Sequence, residues 1–201
     1  MKAEKPTLIV IAGPNGSGKT SITSRLLKHD WINNCIYINP DEIAQNKFGD
    51  WNLKENVLKA AEYATKLRYQ CIENKDSLIF ETVFSSEEKI DFILKAKETG
   101  YFIRFFFVCT SHPSINASRI VRRVLEGGHD VPIPKIINRY YKSISNCCVI
   151  ANLVDRLYIY DNSIDFDNAE LLFRASEGNV VKRYFGSMPE WVIPILNALN
   201  I

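Results

Sequence analysis

No apolar run in these 201 residues is longer than a β-strand, so nothing in the sequence reads as a membrane span. Met1–Pro6 also lacks the apolar core of a secretory signal, and the expectation is a cytosolic protein. Cysteine is sparse. Cys35, Cys71, Cys109, Cys147 and Cys148 form an odd set with no C-x-x-C spacing, and several sit in apolar runs. That favours buried free thiols over disulfides or a metal site. A net charge of +2 gives no general reason to expect nucleic-acid binding. Internal repeats, low-complexity segments and clear linkers are absent too. The simplest organisation is one domain over 1–201, with 46% hydrophobic residues to build a core.

What is present is the run Gly13-Pro14-Asn15-Gly16-Ser17-Gly18-Lys19-Thr20, directly after the apolar Leu8-Ile9-Val10-Ile11-Ala12. It fits the phosphate-binding loop G-x-x-x-x-G-K-[ST]. The glycines let backbone N–H groups ring the α and β phosphates of ATP, Lys19 reaches the β and γ oxygens, and the Thr20 hydroxyl ligates Mg²⁺. The helix expected to begin near Lys19, with Ser21 in its first turn, adds the positive end of its dipole. A dinucleotide-binding turn would require a third glycine where Ser21 stands. A guanine-reading N-K-x-D and a serine-glycine-glycine ABC signature are both missing, which disfavours a switch GTPase and an ABC-type ATPase.

Strand-like runs alternate with helix-like segments, the pattern of a parallel sheet covered on both faces. Strands are expected near Thr7–Ala12, Cys35–Asn39, Leu78–Thr82, Phe102–Cys109 and Leu157–Tyr160. Helices are expected near Lys19–Lys28, Leu53–Glu73, Ser86–Thr99, Pro113–Glu126, Pro134–Ala151 and Pro189–Leu199. Glu170–Ser176 and Asn179–Tyr184, joined by Glu177-Gly178, read as a hairpin at the sheet edge.

Ligands of such sheets lie at the carboxyl ends of the strands. There Asp41 is placed to accept a proton from an attacking hydroxyl, although capping a helix over Glu42-Ile43-Ala44 would also suit it. Glu81, at the end of Leu78-Ile79-Phe80-Glu81, suits either Mg²⁺ held through water or a substrate hydroxyl. Between Arg119 and Lys142 six basic residues stand against two acids, so the rest of the chain is net acidic. Arg119, Arg122 and Arg123 share one helix face, and Lys135, Arg139 and Lys142 another. The intervening Gly127-Gly128-His129-Asp130-Val131-Pro132 breaks both helices. The whole reads as a lid over about 112–146 that brings at least one of Arg122, Arg123 and Arg139 onto the transferred phosphoryl group. A lone turn histidine is more often a hydrogen-bonding residue, so His129 stays outside the catalytic set. RNA binding is the weaker reading of the basic faces, for want of interleaved aromatics.

With Asn39-Pro40-Asp41-Glu42-Ile43-Ala44, Phe80-Glu81-Thr82, the Gly127–Pro132 turn and Ile137-Asn138-Arg139-Tyr140-Tyr141-Lys142-Ser143 added to the loop, the chain resembles the zeta-toxin-like P-loop kinases over about Thr7 to Asn146. The resemblance implies a nucleotide-kinase-like P-loop NTPase fold of the α/β class: a three-layer sandwich with a central, mainly parallel sheet and a helical lid. It implies an ATP- and Mg²⁺-dependent kinase acting on a hydroxyl of a small acceptor, a UDP-sugar such as UDP-N-acetylglucosamine, with an antitoxin polypeptide as a candidate partner. By motif, Lys19 and Thr20 would serve ATP·Mg²⁺ and Asp41 would be the general base. Glu81 and Thr82 would lie at the acceptor's sugar, and Arg123 and Arg139 would be the lid arginines. The chain departs from the toxin pattern at Val83 and Ser85, where threonine and arginine contacting the sugar nucleotide are expected. A nucleoside or nucleotide kinase, and a protein that binds ATP without transferring phosphate, are the alternatives.

Overall fold

In the computed structural model, which describes residues 5–32, 34–49, 53–127, 131–165 and 168–200, strand β1 (Thr7–Ala12) is buried at every residue after Thr7. Its side chains alternate between two apolar clusters, Leu8, Val10 and Ala12 in one and Ile9 and Ile11 in the other. A strand covered on both faces needs a continuous apolar run, which is what the sequence supplies. β3 (Leu78–Thr82) and β4 (Phe102–Cys109) pair with β1, β2 (Ile36–Ile38) with β3, and β5 (Arg156–Asp161) with β4, all in parallel. β6 (Glu170–Ser176) and β7 (Asn179–Arg183) extend the sheet antiparallel, giving the order β2-β3-β1-β4-β5-β6-β7 among the described residues. The outer strand exposes Lys182 and Arg183, charges that discourage further strand pairing.

Helix α1 (Lys19–Leu26) covers the Ile9, Ile11 and Ile79 face through Ile22 and Leu26. α3 (Lys54–Asn74), α4 (Glu87–Glu98), α7 (Ile193–Asn197) and the second half of α6 (Ile133–Ile150) cover the other, larger face. The larger face is rich in phenylalanine. Phe80 meets Phe92 edge-on at 5.6 Å, and Phe84 meets Phe105 at 5.0 Å. Each such buried ring contributes roughly 2–3 kcal/mol over an exposed one. α5 (Pro113–Leu125) and the first half of α6 share a small core of their own, Ile120, Val131 and Ile136.

The expected elements are present. β1, β3 and β4 have the expected bounds, and β5 gains one residue at each end. The 3-10 turn Asp30–Ile32 and the π-helical turn Ala44–Phe48, which follows the short α2 (Pro40–Ile43), carry no periodic signal and were not expected. Gly127 ends α5 with φ +89°, a left-handed turn that glycine adopts without strain. The expected hinge residues Gly128, His129 and Asp130 lie outside the described residues. All five cysteines are free, and Cys71, Cys109 and Cys147 are buried where the apolar surroundings push their thiols up. No described helix is long and apolar enough to cross a membrane.

Candidate active site

The segment from Gly13 to Gly18 turns between β1 and α1, and its shape is imposed from both sides. A β-carbon on Gly13 would stand 2.0 Å from the Val108 carbonyl oxygen, and one on Gly18 would stand 2.1 Å from Asn162 Nδ2. Side chains from distant elements clasp the loop. Asn116 Nδ2 donates to the Asn15 carbonyl at 2.6 Å, and Asn162 Nδ2 donates to the Ser17 carbonyl at 2.9 Å. Asn116 is itself buried and accepts from the Thr110 hydroxyl. Neither asparagine was identified in the sequence. Asn162 had a signal, its place at the end of β5, and Asn116 had none. The Gly13 and Ser17 amides donate to the carbonyls of Thr82 and Pro14, and with the carbonyls of Asn15 and Ser17 engaged from behind, the other amides of the loop suit an anion.

Lys19 is half-buried, and its ammonium donates to the carbonyls of Gly13 and Pro14 at 3.0 Å each. Burial lowers its pKa from 10.5 to about 8. Glu81 and then Asp41 oppose the shift, and Arg123 reinforces it. Four expected site residues are thus electrostatically coupled.

Asp41 and Glu81 come from the ends of neighbouring strands. Asn39, not Asp41, caps α2, since its Oδ1 accepts from the Asp41 amide at 2.9 Å. The Asp41 carboxylate is exposed and makes no hydrogen bond or ion pair among the described residues, which leaves it free to take a proton. Glu81 follows the alternation of β3 onto the Ile79 face, toward α1, where its Oε2 accepts from the Thr20 hydroxyl at 3.4 Å. Glu81 Oε1 is buried with no hydrogen-bond partner among the described residues. An orphaned carboxylate oxygen beside a hydroxyl is a donor set that suits a hard cation such as Mg²⁺. Thr82 is buried on the opposite face, and its hydroxyl accepts from the Phe84 amide at 3.0 Å, pinning a turn in which Phe84 has φ +58°.

The structure divides the arginines that helical spacing put on one face. Arg119 and Arg122 both pair with Asp165, at 2.7 and 3.0 Å, and Arg119 also donates to the carbonyls of Asn162 and Ile164. The two are thereby drawn toward the segment after β5. Both nonetheless line the smaller cavity that Gly16 and Gly18 of the loop also line. Arg123, like Arg119 but unlike Arg122, lines the cavity that contains Lys19. Arg139 reaches the loop from α6, donating to Asn15 Oδ1 at 3.1 Å. Lys135 and Lys142 are exposed.

Two cavities meet at the loop. The smaller, about 350 Å³, lies between Gly16, Gly18, Ser21 and Arg25 on one side and Arg119, Asn162 and Asp165 on the other. The larger, about 730 Å³, joins Lys19 and Thr20 to Asp41, Glu81, Thr82, Arg123 and Arg139, and continues past the turn from Val83 to Ser86 toward α3 and α4.

Comparison with known proteins gives the same fold. The family described as Zeta toxin matches residues 1–171. An uncharacterized protein of Haemophilus influenzae is 28% identical over 132 residues, 66% of this chain and 91% of that one. A chain of the PezAT chromosomal toxin-antitoxin system of Streptococcus pneumoniae superposes with a TM-score of 0.63 at 15% identity, covering 99% of this chain and 80% of that one. The AvrRxo1-ORF1:-ORF2 structure with ATP gives 0.62 at 20% identity, over 89% of this chain and 60% of that one.

Proposed function

The chain belongs to the Zeta toxin family, and from that premise we propose that it is an ATP-dependent kinase that phosphorylates a hydroxyl of a small acceptor, a sugar nucleotide such as UDP-N-acetylglucosamine. One observation carries the reading. A single cavity joins the phosphate loop at Lys19 and Thr20 to an uncommitted carboxylate, Asp41, and to two arginines, Arg123 and Arg139.

The loop amides and Lys19 hold the β and γ phosphates, and the base occupies the smaller cavity against Arg119. Thr20 and Glu81 would hold Mg²⁺, which when bound neutralises charge on the β and γ oxygens. Asp41 orients the acceptor hydroxyl and takes its proton as that oxygen attacks the γ phosphorus. The bond from the γ phosphorus to the β–γ bridging oxygen breaks, and ADP leaves with the electron pair. Arg123 and Arg139 stabilise charge on the transferred oxygens, and closure of α5 and α6 excludes water. The toxin-antitoxin origin of the PezAT neighbour supports a restraining polypeptide as a partner.

The test is mass-spectrometric detection of product after incubation with ATP, Mg²⁺ and a panel of UDP-sugars and nucleosides, with Asp41→Asn alongside. A UDP-sugar phosphate formed only by the unaltered protein supports the reading. A phosphorylated nucleoside would move the chain to the nucleoside-kinase alternative. ATP binding without product from any acceptor would leave a nucleotide-binding protein.

A further inference from the structure

The nucleotide site is braced from a part of the chain that lines neither of its cavities. Trp191, in the 3-10 turn Glu190–Val192 ahead of α7, lies beyond the residues that the Zeta toxin family model matches. It is 7% exposed and packs against Phe107 of β4, with ring centroids 6.1 Å apart. Its indole Nε1 donates to Asp161 Oδ2 at 2.8 Å, while Asp161 Oδ1 accepts from the Ser163 amide at 2.8 Å. One carboxylate at the end of β5 thus holds a distant donor on one oxygen and a local donor on the other. The local bond is the turn that an aspartate makes with the amide two residues on.

What that turn carries is Asn162. Its amide donates to the Cys109 carbonyl at 2.8 Å, its carbonyl accepts from Arg119, and its Nδ2 reaches the Ser17 carbonyl of the phosphate loop. Ser163 Oγ accepts from the Ser111 amide at 2.8 Å. Past Asp161 the strand pairing ends, so these bonds set the path of 162–163 in its place. Asn162 Nδ2 stands where a β-carbon on Gly18 would be, which leaves little slack between the two. A side chain that must meet one loop carbonyl so closely depends on the backbone that presents it. A buried indole N–H needs an acceptor, and its bond to a carboxylate is stronger than one to a neutral oxygen.

We propose that Trp191 is a positioning residue for the nucleotide. Through Asp161 it fixes the turn that sets Asn162 against the phosphate loop, so ATP affinity depends on a tryptophan outside both cavities. This rests on the nucleotide-binding half of the kinase reading above and adds to it what keeps the loop in shape.

The competing account makes Trp191 core packing alone. Trp191→Phe keeps a ring against Phe107 and removes the N–H. Its affinity for a non-hydrolysable ATP analogue with Mg²⁺, measured by calorimetry, is expected to fall about three- to tenfold, with KM for ATP rising in step and kcat within about twofold. Asp161→Asn keeps the size of the side chain and turns an amide NH₂ toward one of the two donors, so it is expected to weaken the analogue similarly. A double-mutant cycle separates the two accounts. Asn162→Ala weakens the analogue by itself, and in that background Trp191→Phe is expected to cost little more, because it acts through the side chain already removed. Core packing predicts a lower Tm with unchanged affinity, or the same loss in both backgrounds, and either result overturns the proposal. No product from any acceptor would remove the kinase reading and leave this inference standing, whereas no binding of the analogue to the unaltered protein would overturn both.

Discussion

Arg139 on α6 donates to the side-chain oxygen of Asn15 in the phosphate loop at 3.1 Å, across 124 residues of chain. The guanidinium thus rests beside the anion site on a neutral partner, which a phosphate oxygen can replace with a stronger, charge-assisted bond. Arg139→Ala is expected to lower kcat by about 10²–10³-fold while changing ATP affinity far less, read from kcat and from equilibrium ATP binding.

Asp41→Asn keeps the shape of the site and removes the base. ATP binding should persist and phosphoryl transfer fall by about 10²–10⁴-fold. Turnover close to that of the unaltered protein would remove Asp41 from the mechanism.

Lys19 gives the site a pH dependence of definite sign. Its pKa is lowered on folding from 10.5 to about 8, so between those values the unfolded chain holds more protons at this position than the folded one. Its contribution to stability therefore rises with pH across that window. Phosphates beside the ammonium favour the charged form. ATP binding near pH 8.5 should take up a fraction of a proton and weaken as pH rises further. Calorimetry in buffers of different ionisation enthalpy measures the uptake, and Lys19→Met should abolish it.

Gly18 has φ +90° and no room for a β-carbon beside Asn162 Nδ2. Gly18→Ala is expected to displace Asn162 from the Ser17 carbonyl and to cost at least about tenfold in ATP affinity. The sheet core should be largely unaffected, with near-native far-UV circular dichroism.

How much of this was legible in the sequence depended on burial. β1, β3 and β4 lie at the centre of the sheet with most of their residues buried, so apolar runs mark where these strands lie. β2 proved shorter than expected because Asn39 leaves the strand to cap α2. The rule that ligands meet strand ends picked out Asp41 and Glu81, since strand alternation and strand termini are both readable from residue order. Helical spacing could not divide Arg119 and Arg122 from Arg123. Their sorting depends on Asp165, which the fold brings to them from some forty residues away. Trp191 escaped notice for a similar reason. In the sequence it looks like one more apolar residue of the last helical stretch, and only tertiary packing brings its indole N–H to Asp161.

Helix α6 belongs to two bodies. From Tyr140 onward it is built into the main core, with the Tyr140 hydroxyl donating to the Thr110 carbonyl at 2.6 Å, while its first turns pack with α5 on Ile120, Val131 and Ile136. In the proposed closure Tyr140 would therefore act as a fulcrum: Arg139, one residue from it, would move little, and Ile133, seven residues out on an arm roughly 10 Å long, would move most. Arg123 already lines the Lys19 cavity from the α5 that packs on that arm, so the same motion would tighten its approach while Arg139 stays in place.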